Sequence, residues 1–123
     1  MGRKARLDLV LDCADPLKLG AFWREALGYR ALFEIPTHVV LVPDDAGGNA
    51  SPLVLQQVPE SKTAKNRMHL DIVADDVVAE VARLELLGAR RVHEGIQSAG
   101  PIEWVTLIDP EDNEFCVCTG VEW

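Results

Sequence analysis

Arg67, His69 and Asp71 recur at every second position of the segment KNRMHLDIVADD (65–76), alternating with Met68, Leu70 and Ile72. In an extended chain successive side chains point to opposite faces, so a guanidinium, an imidazole and a carboxylate share one side. An imidazole titrates near neutrality, and an adjacent carboxylate holds it in one tautomer and keeps it basic. Such a group can move a proton beside a carbonyl or an epoxide. The competing structural reading pairs Asp71 with Arg67 as an ion pair and leaves His69 as a hydrogen-bonded filler. Lys62 and Lys65 join Arg67 in a basic cluster that can hold a small anion or simply form a solvated connector.

A second alternating run, RLDLVLD (6–12), repeats the design, with Leu7, Leu9 and Leu11 on one side and Arg6, Asp8, Val10 and Asp12 on the other. Asp8 is a second carboxylate to pair with His69. Together with Asp12 and Asp71 it gives an acidic surface that suits a cationic guest. Trp104, on a later strand-like run, can stack on a flat ligand or pack in the core. His38 and His93 fall near strand ends without an obvious partner, which favours surface positions. Trp123 is the last residue given, where an exposed indole is costly; it either docks at a dimer contact or frays.

Each alternating run feeds a helix. Asp15 and Pro16 have the chemistry of an N-cap and first helical residue. Leu19, Phe22, Trp23, Ala26 and Leu27 then follow the spacing of one buried helical face, and Gly28 ends it. In the second half Asp75 and Asp76 are the cap candidates, Val77, Val81 and Leu84 the buried face, and Gly88 the stop. Three strand-like runs follow each helix: YRALFE (29–34), HVVLV (38–42) and PLVLQQV (52–58), then ARRVHE (89–94), EWVTLI (103–108) and NEFCVCT (113–119). Asp15 and Asp75 stand 60 residues apart, as do Gly28 and Gly88, so the order strand, helix, three strands occurs twice. The predicted class is α+β: tandem βαβββ modules forming one curved eight-stranded mixed sheet, with helices on its outer face and a polar cup on the other. Module one spans about 5–58, a linker 59–66 and module two about 67–120, all within a single domain over 1–123.

Composition narrows the function classes. A formal charge of −8, from 20 acidic and 12 basic residues, opposes binding to nucleic acid or anionic membranes. No apolar run approaches the ~20 residues a membrane helix needs, and the interrupted start argues for a cytoplasmic protein. Cys13, Cys116 and Cys118 are an odd set without CxxC spacing, which points to reduced thiols rather than a disulfide framework.

The segments DCADPLKLGAFWREALGY (12–29), KNRMHLDIVADD (65–76), LELLGARRV (84–92) and DPEDNEFCVC (109–118) together resemble the vicinal oxygen chelate superfamily, in particular its glyoxalase-like, bleomycin-resistance-type domains. The resemblance spans nearly the whole chain. It implies a paired βαβββ fold, a homodimer, and a cup that often holds a divalent metal. Metal ligands in such proteins are typically His and Glu on the first and last strands of each module. The matching positions here are Asp8, Gln56 (with Gln57 one residue away), His69 and Cys116, of which only His69 keeps the ligand type. Mg²⁺ or Mn²⁺ favours oxygen donors, which Asp8 and Gln56 offer; zinc accepts Asp8, His69 and a deprotonated Cys116. The cofactor therefore stays open.

Loss of the strand-end glutamates removes the usual base beside the metal, and the chain is not expected to be a lactoylglutathione lyase. Three readings remain. One is a small-molecule-binding protein acting as a lyase, isomerase or dioxygenase-like enzyme through His69 and Asp8, with Arg67, Asp71, Gln56, Cys116, Trp104, Asp12 and Lys65 contacting the ligand. Another is a non-catalytic protein that sequesters a drug or metabolite. The last is a structural or regulatory partner domain. In the last turn Asp112 stands where such proteins often have glycine; aspartate tolerates the left-handed conformation, so the turn is expected to survive.

Overall fold

A computed structural model describes residues 7–44 and 50–120, so Trp123 and the middle of the turn-rich segment after Asp44 lie outside the described residues. The chain runs β1 (Leu9–Cys13), α1 (Pro16–Leu27), β2 (Tyr29–Ile35), β3 (His38–Pro43) and β4 (Leu53–Gln57). It continues with β5 (Leu70–Val73), α2 (Val77–Leu87), β6 (Arg90–Arg91), β7 (Gln97–Ala99), β8 (Ile102–Ile108) and β9 (Glu114–Cys118). Two compact units divide between Ser61 and Lys62. Each holds one helix and one mixed sheet, so the α+β class and the repeated element order are present. The expected single eight-stranded sheet is instead two sheets, of four strands (β1-β4-β3-β2) and five (β5-β9-β8-β6, with β7 also on β8).

In the first unit the Asp15 carboxylate accepts from Lys18 N at 3.2 Å and Gly28 closes α1 at φ 67°. Leu19, Phe22, Trp23 and Ala26 are buried against Val39, Leu41, Leu53 and Leu55 of the sheet. Each of the buried leucine, valine and phenylalanine side chains contributes about 1.5–3 kcal/mol. Gly20 lets α1 sit directly on β3, because a Cβ there would meet Val39 Cγ1 at 3.0 Å.

In the second unit the cap is Asp76 rather than Asp75, accepting from Ala79 N at 3.0 Å. That shift makes α2 one residue shorter than α1, at 11 residues against 12, and moves the helix start off the 60-residue spacing. Val81 and Leu84 pack with Val105, Leu107, Phe115 and Val117, all nearly inaccessible.

Both modules join their first and last strands in parallel: β1 with β4, and β5 with β9. The remaining pairs are antiparallel, as the short connections require. Two strands are shorter than their sequence pattern. The run 67–73 becomes regular only at Leu70, which pairs with Phe115; β9 begins at Glu114, so residues before His69 lie beyond the β9 ladder. ARRVHE keeps only Arg90 and Arg91. After Val92 the His93 side chain takes over, its Nε2 accepting from Thr106 N at 3.0 Å where a strand carbonyl would sit. His93 is therefore a half-buried structural group with a partner, contrary to the surface position expected of it.

The turn into β9 is knotted by Asp109, which is 1% exposed. Its Oδ1 accepts from Glu111 N (2.9 Å), Asn113 N (3.0 Å) and Asn113 Nδ2 (3.1 Å). Asp112 takes φ 67°, the left-handed conformation expected of it. Asp109→Ala would strand several buried donors. We expect it to lower unfolding stability by about 2–4 kcal/mol in urea titrations; a change below about 0.5 kcal/mol would show the turn to be held by other means.

Candidate functional site

One helix dries one face of each sheet, and the strand registers define what stands on the other. In the second sheet Asp71, Cys116 and Thr106 form one row across β5, β9 and β8. Val73, Cys118 and Trp104 form the next. These residues, Val73 excepted, line an open cleft of about 410 Å³ together with Lys65, His69 and Ile102. The size and the mixture of an indole, an alkyl side chain and a few convergent polar groups suit a small organic molecule.

His69 stands one residue before β5, and its Nδ1 lies 3.3 Å from Asp71 Oδ1. Asp71 thus pairs with the imidazole rather than with Arg67. With Nδ1 turned to a carboxylate, the second ring nitrogen is left for another partner. His69, Asp71 and Cys116 each offer a donor atom within 4.8 Å of the other two. The Cys116 thiol is buried and sits 3.5 Å from Thr106 Oγ1. Burial pushes its pKa up, the nearby Asp71 charge adds to that, and the Thr106 hydrogen bond opposes it. Burial raises the Cys118 thiol as well.

The segment entering β5 is stapled from below. Glu114 accepts from Lys62 Nζ at 3.1 Å and from Asn66 N at 3.3 Å. Lys62 is therefore spent on structure, and of the basic cluster only Lys65 lines the cleft. Burial raises the Glu114 carboxyl, but its own backbone N–H, Lys62 and Asn66 outweigh that and leave its pKa lowered. A carboxyl lowered on folding stabilises the fold above its unfolded pKa, and that contribution disappears as pH falls through the folded value. Glu114→Gln should cost about 1 kcal/mol at pH 7. Its denaturation midpoint should converge on that of the parent protein below the ordinary carboxylate range; a pH-independent gap would contradict the linkage.

The first unit carries a different pattern. The row matching Asp71–Cys116–Thr106 is Val10–Val54–Val40, all apolar. Its polar row lies one step further along: Asp12, Gln56 and His38, with Gln56 Nε2 donating to Asp12 Oδ1 at 3.1 Å. By strand register Gln56 corresponds to Cys118, and Val54 to Cys116. Arg67 does not line the cleft, and Asp8, Asp12 and Gln56 belong to the first unit. Thr106, Ile102 and Cys118 were missed by the sequence reading, although Thr106 and Cys118 lie two residues along the strand from Trp104 and Cys116.

A divalent metal of the hard type would want several oxygen donors. Among the described residues, the donors that come together in the cleft are one carboxylate, one imidazole and one thiol, a set that does not suit Mg²⁺ or Mn²⁺.

Two successive strand–helix–strand modules, each with its first and last strands parallel, define a fold of the vicinal oxygen chelate class. Residues 8–118 match the glyoxalase-like domain family, and the chain belongs to it. None of the curated proteins is significantly similar to it in sequence. Among solved structures, a glyoxalase/bleomycin resistance protein/dioxygenase family enzyme from Burkholderia phytofirmans PsJN is similar at TM-score 0.73 and 17% identity, covering 91% of this chain and 98% of that one. The fosfomycin resistance protein FosX from Mesorhizobium loti has TM-score 0.72 and 12% identity, with coverage of 98% and 95%. Lactoylglutathione lyase from Agrobacterium tumefaciens has TM-score 0.67 and 20% identity, with coverage of 96% and 95%. At these identities the likeness is one of fold.

Asp71 sits beside both thiols that line the cleft, and its charge raises them both. Replacing it with asparagine should move alkylation of Cys116 to lower pH, followed by mass spectrometry of the labelled peptide. An unchanged pH profile would mean that the carboxylate and thiol do not sense each other.

Proposed function

We propose that this protein binds a small organic ligand on the polar face of its second sheet, with His69 as the central contact. The observation that supports this most is the cleft of about 410 Å³ that gathers His69, Asp71, Lys65, Thr106, Cys116 and Trp104 on one face. Trp104 offers an aromatic wall, Lys65 a cation for an anionic group, and the imidazole beside Asp71 a hydrogen-bond partner. Fold neighbours include a Listeria monocytogenes FosX solved with Mn(II) and dihydroxypropylphosphonic acid, so the fold accommodates small polar ligands in that protein.

The 3.3 Å approach of His69 to Asp71 favours a second reading, turnover of a lyase or isomerase type with the imidazole as proton acceptor. In this reading Asp71 takes the orienting role first sought in Asp8. A sequestering protein and such an enzyme share the binding step and differ in whether the ligand returns changed. A homodimer and a cytoplasmic location fit the same picture; no described helix is long and apolar enough to cross a membrane.

A thermal-shift panel of small polar metabolites, including fosfomycin, S-lactoylglutathione and bleomycin, tests the proposal. A ligand that binds only the folded state at a hundredfold excess over its Kd adds about 2.7 kcal/mol of stability. We expect at least one such shift, lost in His69→Ala. The idea fails if no compound shifts the transition or if the shift survives that substitution.

A further inference from the structure

We infer that Cys116 is a nucleophile that captures an α,β-unsaturated carbonyl compound by conjugate addition, with His69 as the base that takes its proton. This rests on the ligand reading of the same cleft and adds to it a covalent step and a class of ligand. Cys116, Asp71 and His69 each bring one atom within 4.8 Å of the other two. Asp71 and Cys116 are register partners of the parallel β5–β9 pair, and His69 precedes Asp71 on the same side of the chain. The Asp71 carboxylate lies 3.3 Å from His69 Nδ1, where it stabilises the imidazolium that forms when the ring takes a proton. Hydrogen bonds between nucleophile and base are commonly long in ligand-free sites and tighten around a substrate. The His69 side chain, 35% exposed, has room to close on the sulfur, which is held in the cleft floor.

At rest the sulfur is a thiol. Burial, the largest effect, raises its pKa; the Thr106 hydrogen bond opposes that, Asp71 and Cys118 add to it, and Lys65 opposes it. The thiolate is the attacking form, so such a group needs a base at the moment of reaction. The surroundings favour addition over acyl transfer. Acyl transfer calls for N–H groups converging on an oxyanion beside the nucleophile. Here β9 is paired on both sides, with β5 and β8, and the Thr106 N–H is given to His93 Nε2. Conjugate addition instead places its negative charge at the far end of the conjugated system, on the carbonyl oxygen, where the Lys65 ammonium on the cleft wall can meet it. The Trp104 indole offers a flat face to a planar conjugated ligand. The step balances without an oxidant or a second reactant. The S–H proton passes to the imidazole, and a C–S bond forms at the β-carbon as the C=C π bond breaks. The electron pair moves to the α-carbon and carbonyl oxygen as an enolate, and the imidazolium returns the proton to the α-carbon.

Full-length protein is mixed with benzylideneacetone, a planar enone whose near-ultraviolet absorption disappears on addition. We expect an intact mass raised by that of one probe molecule, with the adduct on the Cys116 peptide. The rate should saturate with probe concentration and exceed, by roughly tenfold or more, that of the same cysteine in urea-unfolded protein; burial without a base would make it slower. In His69→Gln the side chain still hydrogen-bonds but cannot take the proton, so the maximal rate should fall by about a hundredfold while the circular dichroism spectrum stays unchanged. Cys118→Ser, which alters the other thiol lining the cleft, should react as the parent does. An adduct on Cys13 or Cys118 instead, a native rate no faster than the unfolded one, or an unaltered rate in His69→Gln would overturn the inference. So would a thermal shift with the saturated ketone benzylacetone and no adduct from benzylideneacetone, an outcome that leaves ligand binding standing. A rate that climbs linearly without saturating would sink the binding step and the capture together.

Discussion

A single helix can keep water from only one side of the sheet it covers, and this limit organises each half of the chain. Helix α1 seals the face carrying Leu53, Leu55, Val39 and Leu41, and α2 the face carrying Phe115, Val117, Val105 and Leu107. The other face of each sheet is left to whatever the alternate residues are. In the second half those residues are an aspartate, a valine, two cysteines, a threonine and an indole. The parallel union of β5 with β9 then brings side chains far apart in sequence, such as Asp71 and Cys116, into one row. Chemistry here is a by-product of register: moving β5 by one residue would turn Asp71 into the core and Leu70 out of it.

Much of this was legible in the residue order. Period-two alternation gave the inward leucines of β1 and the outward His69 and Asp71, and the 3.6-residue spacing of Leu19, Phe22, Trp23 and Ala26 gave the buried face of α1. The caps were legible too, with one slip: both Asp75 and Asp76 have capping chemistry, and only the backbone decides which is used. Three things were hidden. His93 substituting for a strand carbonyl depends on a contact 13 residues away that no local pattern announces. The split of strands into sheets of four and five depends on β7, whose residues Gln97–Ala99 carry no alternation at all. The partner of His69 was not legible because Asp8 and Asp71 are both chemically suitable; the structure sets the Asp71 carboxylate 3.3 Å from Nδ1.

The family membership sets the fold without setting the chemistry. Structural neighbours named as lyases, resistance proteins and dioxygenase-type enzymes share this scaffold at identities of 12–20%. At such distance the scaffold is retained because helix-facing positions must stay apolar and the turns must stay closed, as Asp109 illustrates. The outward rows carry no such obligation. A thiol at position 116 and a carboxylate at position 71 stand on such a row, and each offers an atom within 4.8 Å of the His69 ring.

The three valines at 10, 54 and 40 have a practical meaning of their own. They occupy the first half's copy of the row that in the second half is Asp71, Cys116 and Thr106. A tandem scaffold of this kind contains its own blank: one copy holds the architecture with an inert row while the other is free to vary. Writing aspartate, cysteine and threonine onto the valine row, or erasing the second row to valine, would be a graft between two modules with the same parallel joining of first and last strands, and the molecule supplies both donor and recipient.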